Sequence, residues 1–169
     1  MKDTLRILVD WKCNLKCAYC CNEQEHSRLQ FTSTNLYTID FSKYSTICIS
    51  GGEPLMFLRR VAEICRRVRD NQMVVLYSNG ILMSKVIAHM LPQMGIRAVN
   101  IGLHFPNSFN RIITNVLKCT EGTNLSVRFH VWENYKNMNL EAKFPEAKFK
   151  YWTMDECDRD NEERVIMTA

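Results

Sequence analysis

Strand-like and helix-like segments alternate along most of this 169-residue chain. The six segments with strand character are Leu5–Val9, Thr46–Ser50, Met73–Tyr77, Arg97–His104, Leu125–Trp132 and Phe149–Thr153. The three segments with apolar residues at helical spacing are Phe57–Asp70, Ser84–Met94 and Asn107–Cys119. Repeated strand–helix units predict an α/β fold with a parallel sheet and outer helices. Because a full eight-unit barrel takes about 250 residues, we predict a partial (β/α)6 barrel that is open at one side.

The predicted barrel is a single domain over residues 1–154, followed by a charged tail over residues 155–169. Asp155–Arg164 has the charge density of a solvated helix or coil. Asn22–Tyr44 is rich in Ser, Thr and Asn, so any helix within it is expected to be short or irregular. A hydrophobic content of 46% with 24% charged residues is ordinary for a globular protein.

The composition limits the possible binding partners and the cellular location only broadly. A net charge of +4 does not indicate nucleic acid binding, and no apolar stretch is long enough to span a membrane. The eight cysteines belong to a chain too long and too regular for a disulfide scaffold. Reduced thiols, and hence a cytoplasmic location, are therefore expected.

Three of these cysteines lie on one short loop after the first predicted strand. Cys13, Cys17 and Cys20 have the spacing C-x3-C-x2-C. Three thiolates can hold three corners of an iron–sulfur cube and leave its fourth iron open. The alternatives are a zinc site or a set of buried thiols. Zinc knuckles usually have two C-x2-C pairs or paired histidines, and no second pair follows here.

A second motif, Gly51-Gly52-Glu53-Pro54, directly follows the second predicted strand. Two glycines at the end of a strand permit unusual backbone angles and close approach of a ligand. By itself the motif is also compatible with a simple turn.

Together the two motifs resemble the radical S-adenosylmethionine (radical SAM) superfamily, in which a three-cysteine loop follows the first strand and a GGE-type motif ends the second. The resemblance implies a radical SAM partial barrel. It also implies that Cys13, Cys17 and Cys20 bind a [4Fe-4S] cluster whose open iron chelates SAM. Reduction of SAM would then yield a radical that abstracts hydrogen from a substrate, which requires a low-potential electron donor such as a flavodoxin or ferredoxin.

The resemblance also assigns residues to SAM. Tyr19 matches the aromatic residue beside the adenine, and Gly51, Gly52 and Glu53 match residues at the amino group, with Pro54 shaping the turn. If Gly52 is needed for close approach of SAM, Gly52→Val is expected to weaken SAM binding while the cluster still assembles.

Further family positions follow the third, fourth and fifth predicted strands. Ser78 and Asn79 begin a step that resembles the family's Thr-Asn-Gly. His104 stands where many relatives carry a polar residue near the ribose. Arg128 or His130 is a candidate for the SAM carboxylate.

Alternation along the predicted strands supports the last two assignments. Val127, Phe129 and Val131 should pack against the helices, which turns Arg128 and His130 toward the barrel interior. In the preceding strand Asn100, Gly102 and His104 share the interior face by the same alternation. A single inward histidine is more often a hydrogen-bonded core group. Two adjacent polar faces favour a ligand-lined cavity.

Two other features have simpler interpretations. Cys21 is expected to lie outside the cube, whose open corner SAM needs. The arginines of the segment Phe57–Asp70 are expected to form a solvated outer face, with a docking site for an acidic electron donor as the alternative. These residues are Arg59, Arg60, Arg66, Arg67 and Arg69.

The substrate stays open at this point. The run Cys-Ala-Tyr-Cys-Cys-Asn resembles the Cys-Pro-Tyr-Cys-His-Asn of glycyl-radical-enzyme activases and also the cysteine region of peptide-modifying radical SAM enzymes. An oxidoreductase or activase acting on a protein or peptide is therefore predicted. The alternatives are a small-molecule or nucleotide-modifying radical SAM enzyme and a non-catalytic iron–sulfur or zinc interaction module.

Overall fold

One sheet of eight parallel strands forms the centre of the computed structural model, which describes residues 2–153, 156 and 161–168. The strands are β1 Thr4–Leu8, β2 Thr32–Thr34, β3 Thr46–Ser50, β4 Met73–Ser78, β5 Ala98–Leu103, β6 Ser126–Trp132, β7 Phe149–Trp152 and β8 Glu162–Met167. Their spatial order is β2–β8–β1–β3–β4–β5–β6–β7. Every ladder is parallel, and β2 and β7 are the edges, which confirms an open α/β fold. The six predicted strands correspond to β1 and β3–β7.

The helices lie between the strands in sequence. They are α1 Glu25–Leu29, α2 Leu58–Cys65, α3 Lys85–Gln93, α4 Phe109–Thr120 and α5 Leu140–Lys143. Helix α1 has only five residues, as the polar composition of its segment predicts. Helix α3 begins after Ser84, whose hydroxyl accepts from the Ile87 N–H, and ends one residue after Pro92. The helices described here are all too short or too polar to span a lipid bilayer.

The prediction of a solvated tail is wrong for the segment that forms β8. This strand lies between β1 and β2, with Arg6 opposite Arg164 in the register. Glu162 and Arg164 are both buried, and Arg6 pairs with Glu162. A charged sequence is compatible with a buried strand when its charges have such partners. Residues 155, 157–160 and 169 of the predicted tail lie outside the described residues.

Alternate strand residues contact the helices and form the apolar core. On β6, Phe129 and Val131 are completely buried in this core, as the alternation predicts. Helix residues such as Phe109 and Ile113 pack in the same cluster. The opposite, inner face of the sheet carries mainly polar side chains.

We expect Phe129→Ala to destabilise the protein by about 3–5 kcal/mol, because it removes a fully buried ring and leaves a cavity. The Phe129 ring centroid lies 5.7 Å from that of Phe149 on the neighbouring strand, so a strand–strand contact is lost as well. Chemical denaturation measures the effect. Arg128→Ala, at the exposed position next to it, is the control and should change stability little.

Candidate cofactor site

The cysteine loop and the inner face of the sheet enclose a common cavity. Cys13, Cys17 and Cys20 line it from the loop. The cavity is lined at the ends of β3, β4 and β5 by Gly51, Gly52, Ser78, Asn79 and His104. The active sites of parallel α/β folds lie at this end of the strands. The structure therefore brings the two sequence motifs together at the position where a ligand is expected.

The three cysteines are free thiols that line the same cavity. Burial and, to a lesser degree, the neighbouring thiolates of Cys20 and Cys13 raise the pKa of Cys17 to about 12. Burial also raises the pKa of Cys20. A bound metal would offset this accumulation of negative charge as the thiols lose their protons. Cys21 also borders the cavity.

Three thiols that line one cavity fit an iron–sulfur cube. In the described part of the chain, no three Cys, His, Asp or Glu side chains converge on a point that a metal ion could occupy. The thiolates that hold a cube each bind a different iron, so they need a shared cavity rather than a common centre.

The glycine pair holds the start of the cysteine loop. The Gly52 N–H donates to the Asp10 carbonyl at 2.9 Å, and the Glu53 N–H donates to the Lys12 carbonyl at 3.0 Å. A Cβ on Gly52 would lie 2.0 Å from the Lys12 carbonyl oxygen. Gly51 has a φ of +145°, which few other residues adopt. Gly52 is thus required by the loop that carries Cys13, and the expectation that Gly52→Val spares the cluster is revised.

Glu53 and Pro54 are buried and do not line the cavity. Both Glu53 carboxylate oxygens are engaged inside the protein: Oε1 accepts from the Leu55 N–H and the Ser78 hydroxyl, and Oε2 accepts from the Asn79 N–H at 2.7 Å. Burial raises the pKa of Glu53, and these bonds oppose the shift. The Glu53 carboxylate is therefore held within the protein, and the contact of Glu53 with a SAM amino group stays a prediction.

The side chain of Asn79, whose N–H binds Glu53, in turn contacts the cysteine loop. Its Nδ2 donates to Oδ1 of Asn14 at 2.6 Å and lies 3.8 Å from the Cys13 sulfur. Its Oδ1 accepts from the Ile81 N–H. Hydrogen bonds thus connect Glu53 through Asn79 to the first cysteine.

An aromatic group forms another part of the site. The Tyr19 hydroxyl donates to the His104 carbonyl, and the Tyr19 ring centroid lies 4.3 Å from that of Trp132. Burial raises the pKa of Tyr19, so the hydroxyl stays protonated. Trp152 lines the cavity nearby, with its ring centroid 6.2 Å from that of Tyr19. The alternation that turns His130 inward also puts Trp132 on the inner face, but no sequence motif marks either tryptophan.

His104 is folded back over its own strand. Its Nε2 lies 2.6 Å from where a Cβ on Gly102 would be, so only glycine leaves space for the ring. Burial lowers the pKa of His104 to about 4, which keeps the ring neutral near pH 7. Among the described residues its buried Nδ1 has no hydrogen-bond partner.

Only one of the two inward residues predicted on β6 lines the cavity. His130 does so, opposite Gly102 and with its ring edge-on to Tyr77. Arg128 lies two residues earlier on the strand, is exposed, and is not part of the cavity wall. Alternation gives the correct face for Arg128 but not its depth, so its predicted contact with the SAM carboxylate is not supported.

The inner face also carries a buried charged cluster that the sequence motifs do not predict. Arg6 donates to Glu162 through Nε at 2.6 Å and Nη2 at 2.9 Å. The Arg164 Nε lies 3.7 Å from the same carboxylate. Both arginines line the cavity, and Arg6 also lies over the Tyr77 ring. The one sequence signal was an arginine interrupting an otherwise apolar strand.

Sequence comparisons identify similar proteins. A family model described as the Radical SAM superfamily matches residues 12–156. A probable GTP 3′,8-cyclase of Methanocaldococcus jannaschii is 36% identical over 108 residues, or 59% of this chain and 36% of that protein. The GTP 3′,8-cyclase of Microcystis aeruginosa is 30% identical over 131 residues, or 67% of this chain and 38% of that protein. The chain thus spans little more than a third of the length of these relatives.

A comparison of folds gives a weaker match. The crystal structure of BtrN in complex with AdoMet and 2-DOIA has a TM-score of 0.47 and 16% identity, covering 75% of this chain and 57% of that one. The family assignment depends on the sequence match, which includes the cysteine loop, the glycine motif and all five strands from β3 to β7. On that match, the chain belongs to the radical SAM superfamily.

Proposed function

We propose that this chain is a radical SAM enzyme that cleaves S-adenosylmethionine reductively and abstracts hydrogen from a small anionic substrate. The observation that carries the proposal is the shared cavity, which has three cysteines in one wall and two buried arginines in another. The three cysteines would bind the cluster, and the two arginines would bind a negatively charged substrate.

The cofactors of this family are a [4Fe-4S] cluster and SAM. We assign cluster binding to Cys13, Cys17 and Cys20. When bound, these cofactors supply one-electron cleavage of the sulfonium and hydrogen-atom abstraction. The chain's own part is to surrender the thiol protons, to hold the loop against Gly51 and Gly52, and to exclude water.

Other cavity residues would contact the remainder of SAM. The ring of Tyr19, which lines the cavity and packs on that of Trp132, suits a planar group such as adenine. The buried Nδ1 of neutral His104 suits a hydroxyl, which can either donate or accept. His130, also in the wall, is available to substrate or SAM.

The charges facing the cavity favour an anionic substrate. Among the described residues, Arg6 and Arg164 line the cavity, and Glu162 lies within ion-pair distance of both. Glu156, another carboxylate in the wall, is paired with Lys150 at 3.2 Å. Burial acts to lower the pKa of Arg6, but the hydrogen bond to Glu162 and neighbouring groups together raise it, so the guanidinium stays charged. A phosphate or carboxylate of the substrate would accept charge-assisted hydrogen bonds from these two guanidinium groups.

The named relatives point in the same direction, because GTP carries phosphates. This favours the small-molecule alternative over the protein or peptide substrate suggested by the run Cys-Ala-Tyr-Cys-Cys-Asn. The reaction requires a low-potential electron donor of flavodoxin or ferredoxin type. It also requires reduced thiols, which suits the cytoplasm.

The test measures 5′-deoxyadenosine formed by the reconstituted, reduced protein with SAM and either GTP or guanosine. We expect GTP to raise the yield and ribose-deuterated GTP to pass deuterium into 5′-deoxyadenosine. Guanosine, which lacks the phosphates, should do neither. A yield that responds to a protein or peptide and not to GTP would overturn the anionic small-molecule assignment.

We expect Arg164→Gln to raise the KM for GTP by about ten-fold or more, because it removes a charge-assisted hydrogen bond to a phosphate of GTP. SAM cleavage without substrate should change less. Arg128→Gln removes an exposed arginine outside the cavity and is the matched control. Equal KM values for the two variants would contradict the role of Arg164.

A further inference from the structure

One arginine of α2 connects this helix to the start of the cysteine loop. The Arg60 Nη1 donates to the Val9 carbonyl at 2.5 Å and to Oδ2 of Asp10 at 3.0 Å. The other Asp10 oxygen, Oδ1, accepts from the Lys12 N–H at 2.9 Å. The Asp10 carboxylate therefore bridges the guanidinium to the backbone directly before Cys13.

Asp10 is held from a third side as well. Its carbonyl accepts a hydrogen bond from the Gly52 N–H at 2.9 Å, so the glycine motif and Arg60 both bind Asp10. The side chains of Arg60 and Asp10 are only 30% and 24% exposed. Solvent screens such a half-buried pair less than a surface pair, and two further hydrogen bonds add to it.

Arg60 differs in this respect from the arginine beside it. Arg59 has a 95% exposed side chain whose ion-pair partner is Glu63, one turn along the same helix, at 3.8 Å. The interpretation of this arginine-rich segment as a solvated face therefore holds for Arg59 and is wrong for Arg60. The contacts of Arg60 are with the strand end and loop that precede the first cysteine.

We propose that Arg60, acting through Asp10, is a positioning residue for the iron–sulfur cluster. It orients the backbone that presents Cys13, without touching the cluster. The inference depends on the assignment of Cys13 as a cluster ligand. Residues that orient metal ligands typically contribute 10- to 100-fold to metal affinity. Loss of the Arg60 contact should therefore appear as faster loss of iron.

The experiment compares Arg60→Gln with Arg59→Gln, which removes the same charge from the adjacent position. Iron release from the anaerobically reconstituted chain to a ferrous chelator is followed by absorbance. We expect release from Arg60→Gln to be about ten-fold faster or more, and release from Arg59→Gln to match the unaltered protein. Arg60→Lys keeps the charge and should restore part of the retention.

Amide hydrogen exchange of the cluster-free protein gives a second readout. The Lys12 N–H should exchange faster in Arg60→Gln, because the carboxylate that accepts it has lost its anchor. Asp10→Asn weakens the same bridge from its other side. Its effect on iron release should add less than fully to that of Arg60→Gln, since the two changes share the contact between Arg60 and Asp10.

The outcomes separate this inference from the cluster assignment. If Cys13→Ala retains iron, the assignment of the cluster ligand fails. If Cys13→Ala loses iron while Arg60→Gln and Asp10→Asn both behave like Arg59→Gln, only the positioning role is overturned. If Arg60→Gln does not fold, Asp10→Asn and Arg60→Lys decide by the same measurements.

Discussion

Replacing Cys13, Cys17 or Cys20 with alanine is expected to abolish the stable cluster. Each thiolate would hold a separate iron, and a cube already one protein ligand short cannot lose another and persist. Anaerobic reconstitution of the unaltered chain should yield about four irons and four sulfides, with absorbance that bleaches on reduction. Each of the three variants should retain less than about one iron.

Two other cysteines provide the controls for this experiment. Cys21→Ala changes the residue beside the third ligand, and Cys65→Ala removes a thiol on α2 outside the cavity. Both variants should bind iron normally. If Cys21→Ala lost the cluster and Cys20→Ala kept it, the third ligand would be wrongly assigned. Stoichiometric zinc with no uptake of iron would contradict the entire cofactor assignment.

Gly52→Val is expected to prevent cluster assembly, and not only SAM binding. Its Cβ would lie 2.0 Å from the Lys12 carbonyl oxygen and 2.5 Å from that of Trp11. Both atoms belong to the backbone, so the loop itself must move, and Cys13 moves with it. Iron content after reconstitution should fall from about four per chain to less than one.

Gly122→Ala is the matched control for this change. Gly122 has a φ of +74°, but nothing lies within 4 Å of the position that a Cβ would take, so alanine there adds strain without a collision. That variant should be slightly less stable and bind iron normally. A Gly52→Val protein with a complete cluster and weakened SAM binding, measured through the cluster's EPR signal, would show instead that the glycine serves SAM alone.

Elements that arise from local sequence patterns are predicted correctly, whereas elements that depend on contacts between distant residues are not. The sequence predicts strands β1 and β3–β7 to within one residue at each end, because the pattern of β-branched and apolar residues that marks a strand involves only neighbouring positions. Strand β8 was missed because its charges look the same in a solvated tail and in a paired strand. Its partner Arg6 is 156 residues away from Glu162.

The candidate site divides in a similar way. The cysteine spacing and the glycine pair are local patterns, and both lie in the cavity wall as expected. Glu53 was expected to face the ligand, but the N–H of Asn79 and the Ser78 hydroxyl occupy its carboxylate. Which hydrogen-bond donors surround a carboxylate depends on the neighbouring strand, and a motif contains no information about it.

The sequence by itself determined the parallel α/β architecture, the three cysteines on one loop and the glycines against which that loop packs, since each arises from short-range spacing and steric limits. The tertiary structure alone decided that Arg128 lies outside the cavity and that Arg6 and Arg164 lie within it. It also decided that Arg60 forms an ion pair with Asp10. Such contacts join residues far apart in the chain, and their formation depends on which strands become neighbours and where each side chain finds a partner for its charge.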